Sequence, residues 1–239
     1  MKRYIKSAVS PISNEDYETR REIAEITTAP KVLHELVYGN DYDTTLKALA
    51  NPNLSIEDMY AFIKEDWDYR SALALNPNLP DDILNKLLND KNSDVYHKLL
   101  WNPRLPEPEV KKLVESLPNT FSSRITIFDE TKPIIMERLS KYCNDPDTLE
   151  NIAHNPNVSE EILDRLSNAE DINVRCVVAL NPNISQKTIK YLLNDPDQYV
   201  RESLAANPTV SNEDRQILAE DPSARVRRRA ELYIQEYGE

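Results

Sequence analysis

Asp171-Ile172-Asn173-Val174-Arg175-Cys176-Val177-Val178-Ala179-Leu180-Asn181-Pro182-Asn183-Ile184-Ser185-Gln186-Lys187-Thr188-Ile189-Lys190-Tyr191-Leu192-Leu193-Asn194-Asp195 holds the unit from which the chain is built. Its first half places Val174, Val178 and Ala179 on one helical face, and Val200, Leu204 and Ala205 repeat that pattern one unit later. Asn181-Pro182 stops the helix, because proline lacks an N–H and drives the residue before it out of the α region. Ile184 is an apolar plug, and Ser185 fits the N-cap of a second, shorter helix carrying Ile189, Leu192 and Leu193. Asp195-Pro196-Asp197 then caps the next first helix.

Outward from this unit, Asn-Pro recurs at Asn51, Asn76, Asn102, Asn155, Asn181 and Asn207. The last three are 26 residues apart, and the gap of 53 between Asn102 and Asn155 holds two steps with one dipeptide missing. A fixed step of this size predicts a solenoid, whose units bury their apolar faces only against neighbours. Two short helices and two tight turns per step leave no room for strands, so the fold expected is all-α. A column of such asparagines can also hydrogen-bond from one unit to the next.

Degenerate copies extend the pattern. Phe128-Asp129 with Ile134–Leu139 occupies the missing slot, Ala24–Leu36 fits another, and Ile12–Asp16 echoes Val210–Asp214 as a half-repeat cap. The expectation is a single continuous domain over 1–239, with degenerate cap repeats at 1–40, regular repeats at 41–115, an irregular repeat at 116–147, and regular repeats with a C-terminal cap at 148–239. About eight units at roughly 8–10 Å per helix layer predict a curved array about 60–80 Å long. The segment Ser116–Arg124 is either a bend or a loop carrying function.

Composition excludes several function classes. With 40% hydrophobic and 29% charged residues and no apolar run near about 20 residues, a membrane span is not expected. The opening MKRYIKSAVSPISNEDYE has no apolar core of a secretory signal, so the expectation is cytoplasmic. Cys143 and Cys176 are too few for a disulfide framework or a four-thiolate metal site. Only Gly39 and Gly238 occur, so glycine-rich phosphate cradles are absent. A net charge of −12 argues against general nucleic-acid binding and admits a basic protein partner. No catalytic, cofactor or metal constellation is recognised, and His34, His97 and His154 read as isolated surface histidines.

The phrases Val200-Arg201-Glu202-Ser203-Leu204-Ala205-Ala206-Asn207-Pro208 and Val174-Arg175 through Asp195-Pro196-Asp197 resemble the leucine-rich repeat variant (LRV) family, with HEAT-like repeats as the neighbouring architecture. The likeness covers residues 41–110 and 145–230 well. It implies a right-handed superhelix of α-helices alternating with shorter α or 3-10 helices, and bacterial proteins are its usual setting. Some members carry an iron–sulfur cysteine cluster before the repeats. This chain has no cysteine before Cys143, so no cofactor is carried over.

The function expected is a non-enzymatic scaffold holding a protein or peptide on a concave face, a basic partner being admitted by the net charge of −12, as a monomer or weak homodimer. Trp67, Trp101, Tyr60, Tyr191 and Tyr199 lie off the main apolar stripe and are the candidate anchors, with packing between layers the reading favoured for the tryptophans. Arg225, Arg227, Arg228 and Arg229 form either a solvated terminal cap or a site for nucleic acid or an acidic partner. The arginine column Arg70, Arg175, Arg201 and Arg227 has acids four residues earlier at Asp66, Asp171 and Asp197, so pairing within the repeat with the arginine stem packed between layers is expected, an anion-binding ladder being the alternative. Two other functions are weighed. In the first, acids including Asp41, Asp43, Glu57, Asp58, Asp66, Asp68, Asp81, Asp82, Asp90 and Asp94 form an acidic decoy for the basic site of a nucleic-acid-handling protein. In the second, the chain resembles HEAT-like DNA glycosylases, which the overall charge opposes.

Overall fold

The computed structural model describes residues 16–117 and 133–237, and among these it is helical with no strand. Contacts divide the chain into two compact units, Met1–Glu109 and Val110–Glu239. The expected half repeat at Ile12–Asp16 (all but Asp16), the Phe128-Asp129 slot and most of Ser116–Arg124 lie outside the described residues.

Unit 1 contains α1 (Tyr17–Ile26), α2 (Pro30–Val37), α3 (Tyr42–Ala50), α4 (Ile56–Phe62), α5 (Trp67–Ala74), α6 (Asp81–Leu88) and α7 (Ser93–Lys98), which runs into a 3-10 turn at Leu99–Trp101. Helix α8 (Glu107–Ser116) spans the boundary. Unit 2 contains α9 (Pro133–Tyr142), α10 (Pro146–His154), α11 (Glu160–Leu166), α12 (Ile172–Leu180), α13 (Gln186–Leu192), α14 (Gln198–Ala206), α15 (Asn212–Ala219) and α16 (Ala224–Tyr237). Alternate helices pack on one another: α1 on α3, α3 on α5 and α5 on α7 in unit 1, and α10 on α12, α12 on α14 and α14 on α16 in unit 2.

The repeat explains these contacts. Val174, Val178, Ala179, Val200, Leu204 and Ala205 are fully buried, and the alanines let successive helices approach closely. The side chains of Ser55, Ser159, Ser185 and Ser211 each accept the N–H three residues on, capping the second helices as their position predicts. Pro80 takes the N-cap place itself, ahead of the helix start, and adds no side-chain bond there.

The asparagine column is a hydrogen-bonded ladder. Asn76 Nδ2 donates to the carbonyls of Leu49 (3.0 Å) and Asn51 (2.6 Å), and Asn102 Nδ2 donates to those of Ala74 and Asn76, both at 2.8 Å. In unit 2, Asn207 Nδ2 donates to Ala179 O (2.7 Å) and Asn181 O (2.9 Å), and Asn181 Nδ2 to Ala153 O (2.6 Å). Each Oδ1 accepts the N–H two residues on, at Asn78, Arg104, Asn183 and Thr209. The amide thus occupies the carbonyls that a helix end leaves without partners, one repeat back, and holds its own turn.

The arginine column pairs within the repeat, but with a different acid from the one four residues earlier. Arg70, Arg175 and Arg201 each point two donors at a carboxylate twenty residues on: Arg70 Nε to Asp90 at 2.6 Å, Arg175 Nε to Asp195 at 2.9 Å, Arg201 Nε to Asp221 at 2.6 Å. A second arm reaches back to the carbonyl of Glu65, Ala169 or Asp195. Asp171 and Asp197 instead cap their own helices through Asn173 and Tyr199 N–H. The i,i+4 geometry loses because a helix-start aspartate is drawn to the orphan amides beside it. With their donors spent internally, these three arginines do not form an open anion ladder.

At the last repeat the ladder ends on Arg215. Five other units place Met59, Leu84, Val110, Leu163 or Ile189 at that point of the second helix. Arg215 is nevertheless fully buried, and it donates to the carbonyls of Ala205, Asn207 (2.7 Å) and Val210 (3.0 Å). One 26-residue step beyond Asn207 stands Tyr233, whose ring lies 3.6 Å from the guanidinium. Arg215 therefore fills the acceptors that another ladder asparagine would take.

Candidate functional site

A row of aromatic residues and carboxylates marks the helix starts of unit 1. Asp16-Tyr17-Glu18, Asp41-Tyr42-Asp43 and Asp66-Trp67-Asp68 recur at a step of 25 residues, each at the start of a first helix. The Tyr17 hydroxyl donates to Asp43, and the Tyr42 hydroxyl donates to Asp68 Oδ2 at 2.5 Å. These bonds tie the N-termini of neighbouring helices as the asparagine ladder ties their C-termini, so α1, α3 and α5 run parallel. Asp43 and Asp68 sit in first turns, where the helix dipole favours a negative charge.

The rings face solvent, with Tyr17 38%, Tyr42 48% and Trp67 47% exposed. Behind them the aromatic contacts continue: Tyr42 to Tyr69 (5.9 Å), Tyr69 to Phe62 (5.5 Å), Phe62 to Tyr38 (5.4 Å) and Tyr38 to His34 (4.9 Å). His34 Nδ1 lies 2.9 Å from the buried Asp58. The hydrogen bond to Asp68, helped by partial burial and the carboxylate charge, pushes the Tyr42 hydroxyl up to about 12. Tyr42 is therefore a neutral donor across the ordinary pH range. Arg21 lies over the Tyr17 ring at 5.6 Å. Among the described residues no cation lies over Tyr42 or Trp67, and no protein acceptor meets the Trp67 indole N–H.

Unit 2 holds the same chemistry in filled form. The Arg225 guanidinium lies 5.0 Å from the Tyr199 ring centre and its Nε donates to Glu202. Ring, carboxylate and cation meet within two neighbouring helices. A guanidinium over an aromatic face gains about 0.5–1 kcal/mol at an exposed site, with a nearby carboxylate adding to it.

The five aromatic residues singled out from sequence do not make one surface. Trp67 is exposed at the start of α5, against the layer-packing reading, because the first position of a helix points past the neighbouring layer. Trp101 is half-buried at the end of the 3-10 turn, with Lys98 5.3 Å from its ring. Tyr60 lies on α4, donating to Asp82 at 2.9 Å with Lys86 over the ring, and Tyr191 is exposed on α13. Tyr199 and Arg225 are brought together. Arg227 donates to the carbonyls of Asp221 (2.6 Å) and Pro222 (3.0 Å), while Arg228 and Arg229 are exposed. His97 is half-buried, which pushes its ring toward the neutral form, so the surface reading fails for it.

The acids named for a decoy separate into rows. Asp41, Asp43, Asp66, Asp68 and Asp94 stand at or just before the first helices, and Glu57, Asp58, Asp81 and Asp82 in the first turns of α4 and α6. Asp58 is buried and Asp90 is bound to Arg70. The negative charge is also shared evenly: unit 1 carries 13 Lys and Arg against 19 Asp and Glu, unit 2 carries 16 against 22. No group of three or more His, Cys, Asp or Glu among the described residues is placed to hold a metal ion, and no helix there is long and apolar enough to cross a membrane. No family model matches the chain, and no curated protein matches it.

Proposed function

We propose that this chain is a non-enzymatic interaction scaffold, an α-solenoid of LRV-type two-helix repeats, that holds a basic protein segment on the Tyr17–Tyr42–Trp67 row. One observation carries the reading: exposed rings at Tyr42 and Trp67 stand at helix starts next to Asp43 and Asp68, and among the described residues no cation lies over either ring. Exposed aromatic faces beside fixed negative charge suit lysine and arginine side chains, because ring and carboxylate attract the same cation from two sides. The filled arrangement at Tyr199, Glu202 and Arg225 is the chemistry expected of the bound state. The decoy reading gains nothing from the even charge distribution and is not pursued.

The test titrates nona-lysine, which presents a cation in every register, against the protein at low salt. Trp67 fluorescence is followed in a W101F background. Binding is expected, weakening about tenfold in D43N/D68N with far-ultraviolet circular dichroism unchanged, the loss matching about 1.4 kcal/mol. Equal affinity for the parent and the double variant would remove this row from the function.

A further inference from the structure

Resting on that reading, we infer that the segment held on the row is a polyproline II stretch carrying lysine or arginine at every third residue. The row sets the spacing. Tyr42 at the start of α3 bonds directly to Asp68 at the start of α5, and Tyr17 reaches Asp43 in the same way. Consecutive carboxylates therefore stand one packed-helix separation apart, about 8–10 Å. A polyproline II helix rises about 3.1 Å per residue with three residues per turn, so residues i and i+3 point the same way about 9.3 Å apart. In a β-strand, same-side residues are about 6.7 Å apart at i+2 and about 13 Å at i+4, and neither matches.

An α-helical ligand matches the distance at i+7, about 10.5 Å, but it fails on a second count. The indole N–H of Trp67 is a donor with no protein acceptor, on an exposed ring at the end of the row. A helical ligand uses its carbonyls internally. A polyproline II backbone has no internal hydrogen bonds and offers a free carbonyl at every residue. Its proline rings also lie flat against aromatic faces and give up little entropy on binding. Asp43 and Asp68, each with the ring beside it, thus take the cations, while the intervening prolines pack along the same rings and a backbone carbonyl meets the Trp67 N–H.

The experiment compares three peptides of equal charge by fluorescence anisotropy at low salt: three lysines in a Lys-Pro-Pro frame, three in a Lys-Pro-Pro-Pro frame, and a helix-forming alanine peptide with lysines seven apart. The first should bind at least about fivefold more tightly than either other. That preference should vanish in D43N/D68N, and W67F, which keeps a ring but loses the indole N–H, should weaken the first peptide about threefold. Equal binding of all three, or tighter binding of the helical peptide, overturns the register while nona-lysine binding keeps the scaffold reading. If nona-lysine also fails to bind, both fall.

Discussion

Units 1 and 2 both carry exposed rings at helix starts but place them differently: Tyr42 and Trp67 are the first residues of their helices, and Tyr199 is the second of α14. At the second position of the first helix, unit 1 carries Asp43, Asp68 and Asp94, and the last helix of unit 2 carries Arg225. Arg225 lies over Tyr199 and supplies that ring with a cation of the chain's own, whereas the unit 1 acids accept tyrosine hydroxyls and leave Tyr42 and Trp67 without one among the described residues. All three rings are about equally exposed, so what one side chain per repeat decides is whether an exposed ring already carries its cation. The buried ladder beneath is the same in both units.

The ladder is where the comparison breaks most severely. N76A and N207A each remove two buried amide-to-carbonyl bonds and strand the acceptors, so each should cost about 3 kcal/mol in urea unfolding. Losses differing by more than about twofold between the two sites would show that the units do not share one stabilising device. Next come the arginine forks. D90N and D221N should each cost about 2 kcal/mol at neutral pH. Their arginine partners hold both carboxyls below the ordinary value of 3.8, against the opposing pull of burial. The fork stability is therefore complete above about pH 4 and is lost as pH falls through the depressed folded values. Acid unfolding should weaken the parent more than either asparagine variant, and parallel curves would contradict the assignment.

A smaller effect exchanges the two surfaces. D68R should place a guanidinium on the unit 1 row and reduce nona-lysine affinity about tenfold, while R225A should open Tyr199 and Glu202 to the same peptide. Failure of D68R to weaken binding would deny that self-filling is what separates the rows. The smallest is spectroscopic. In carbon-13 tyrosine spectra Tyr42 should titrate near 12, and in D68N it should fall toward the ordinary tyrosine value of 10.0 as the charged acceptor disappears.

The helix pairs, the serine caps and the asparagine ladder were legible because each follows from local chemistry repeated at a fixed step. The acid each arginine takes was misread as the one four residues earlier, although the sequence holds a better signal. Arg70, Arg175 and Arg201 each have aspartate twenty residues on, whereas Thr45, Tyr96 and Leu149 are followed there by Glu65, Ser116 and Ala169. Arg20 departs from this, with Asn40 in that place, and its Nε is buried without a partner. The aromatic row was likewise present as three Asp-aromatic-acid triplets 25 residues apart. Reading each tryptophan and tyrosine by burial alone hid it, since the defining bonds join different repeats. Arg215 was missed because its meaning is its contrast with the aliphatic residues of the other copies.

Arg215 sets the direction in which this protein can be lengthened. A ladder asparagine set in the place of Tyr233 would find the carbonyls of Ala205 and Asn207 already bonded to Arg215. Duplicating an internal pair, such as α12 with α13, meets no such plug. A designer who continues the regular ladder through α16 must therefore first exchange Arg215 for the aliphatic residue its counterparts carry.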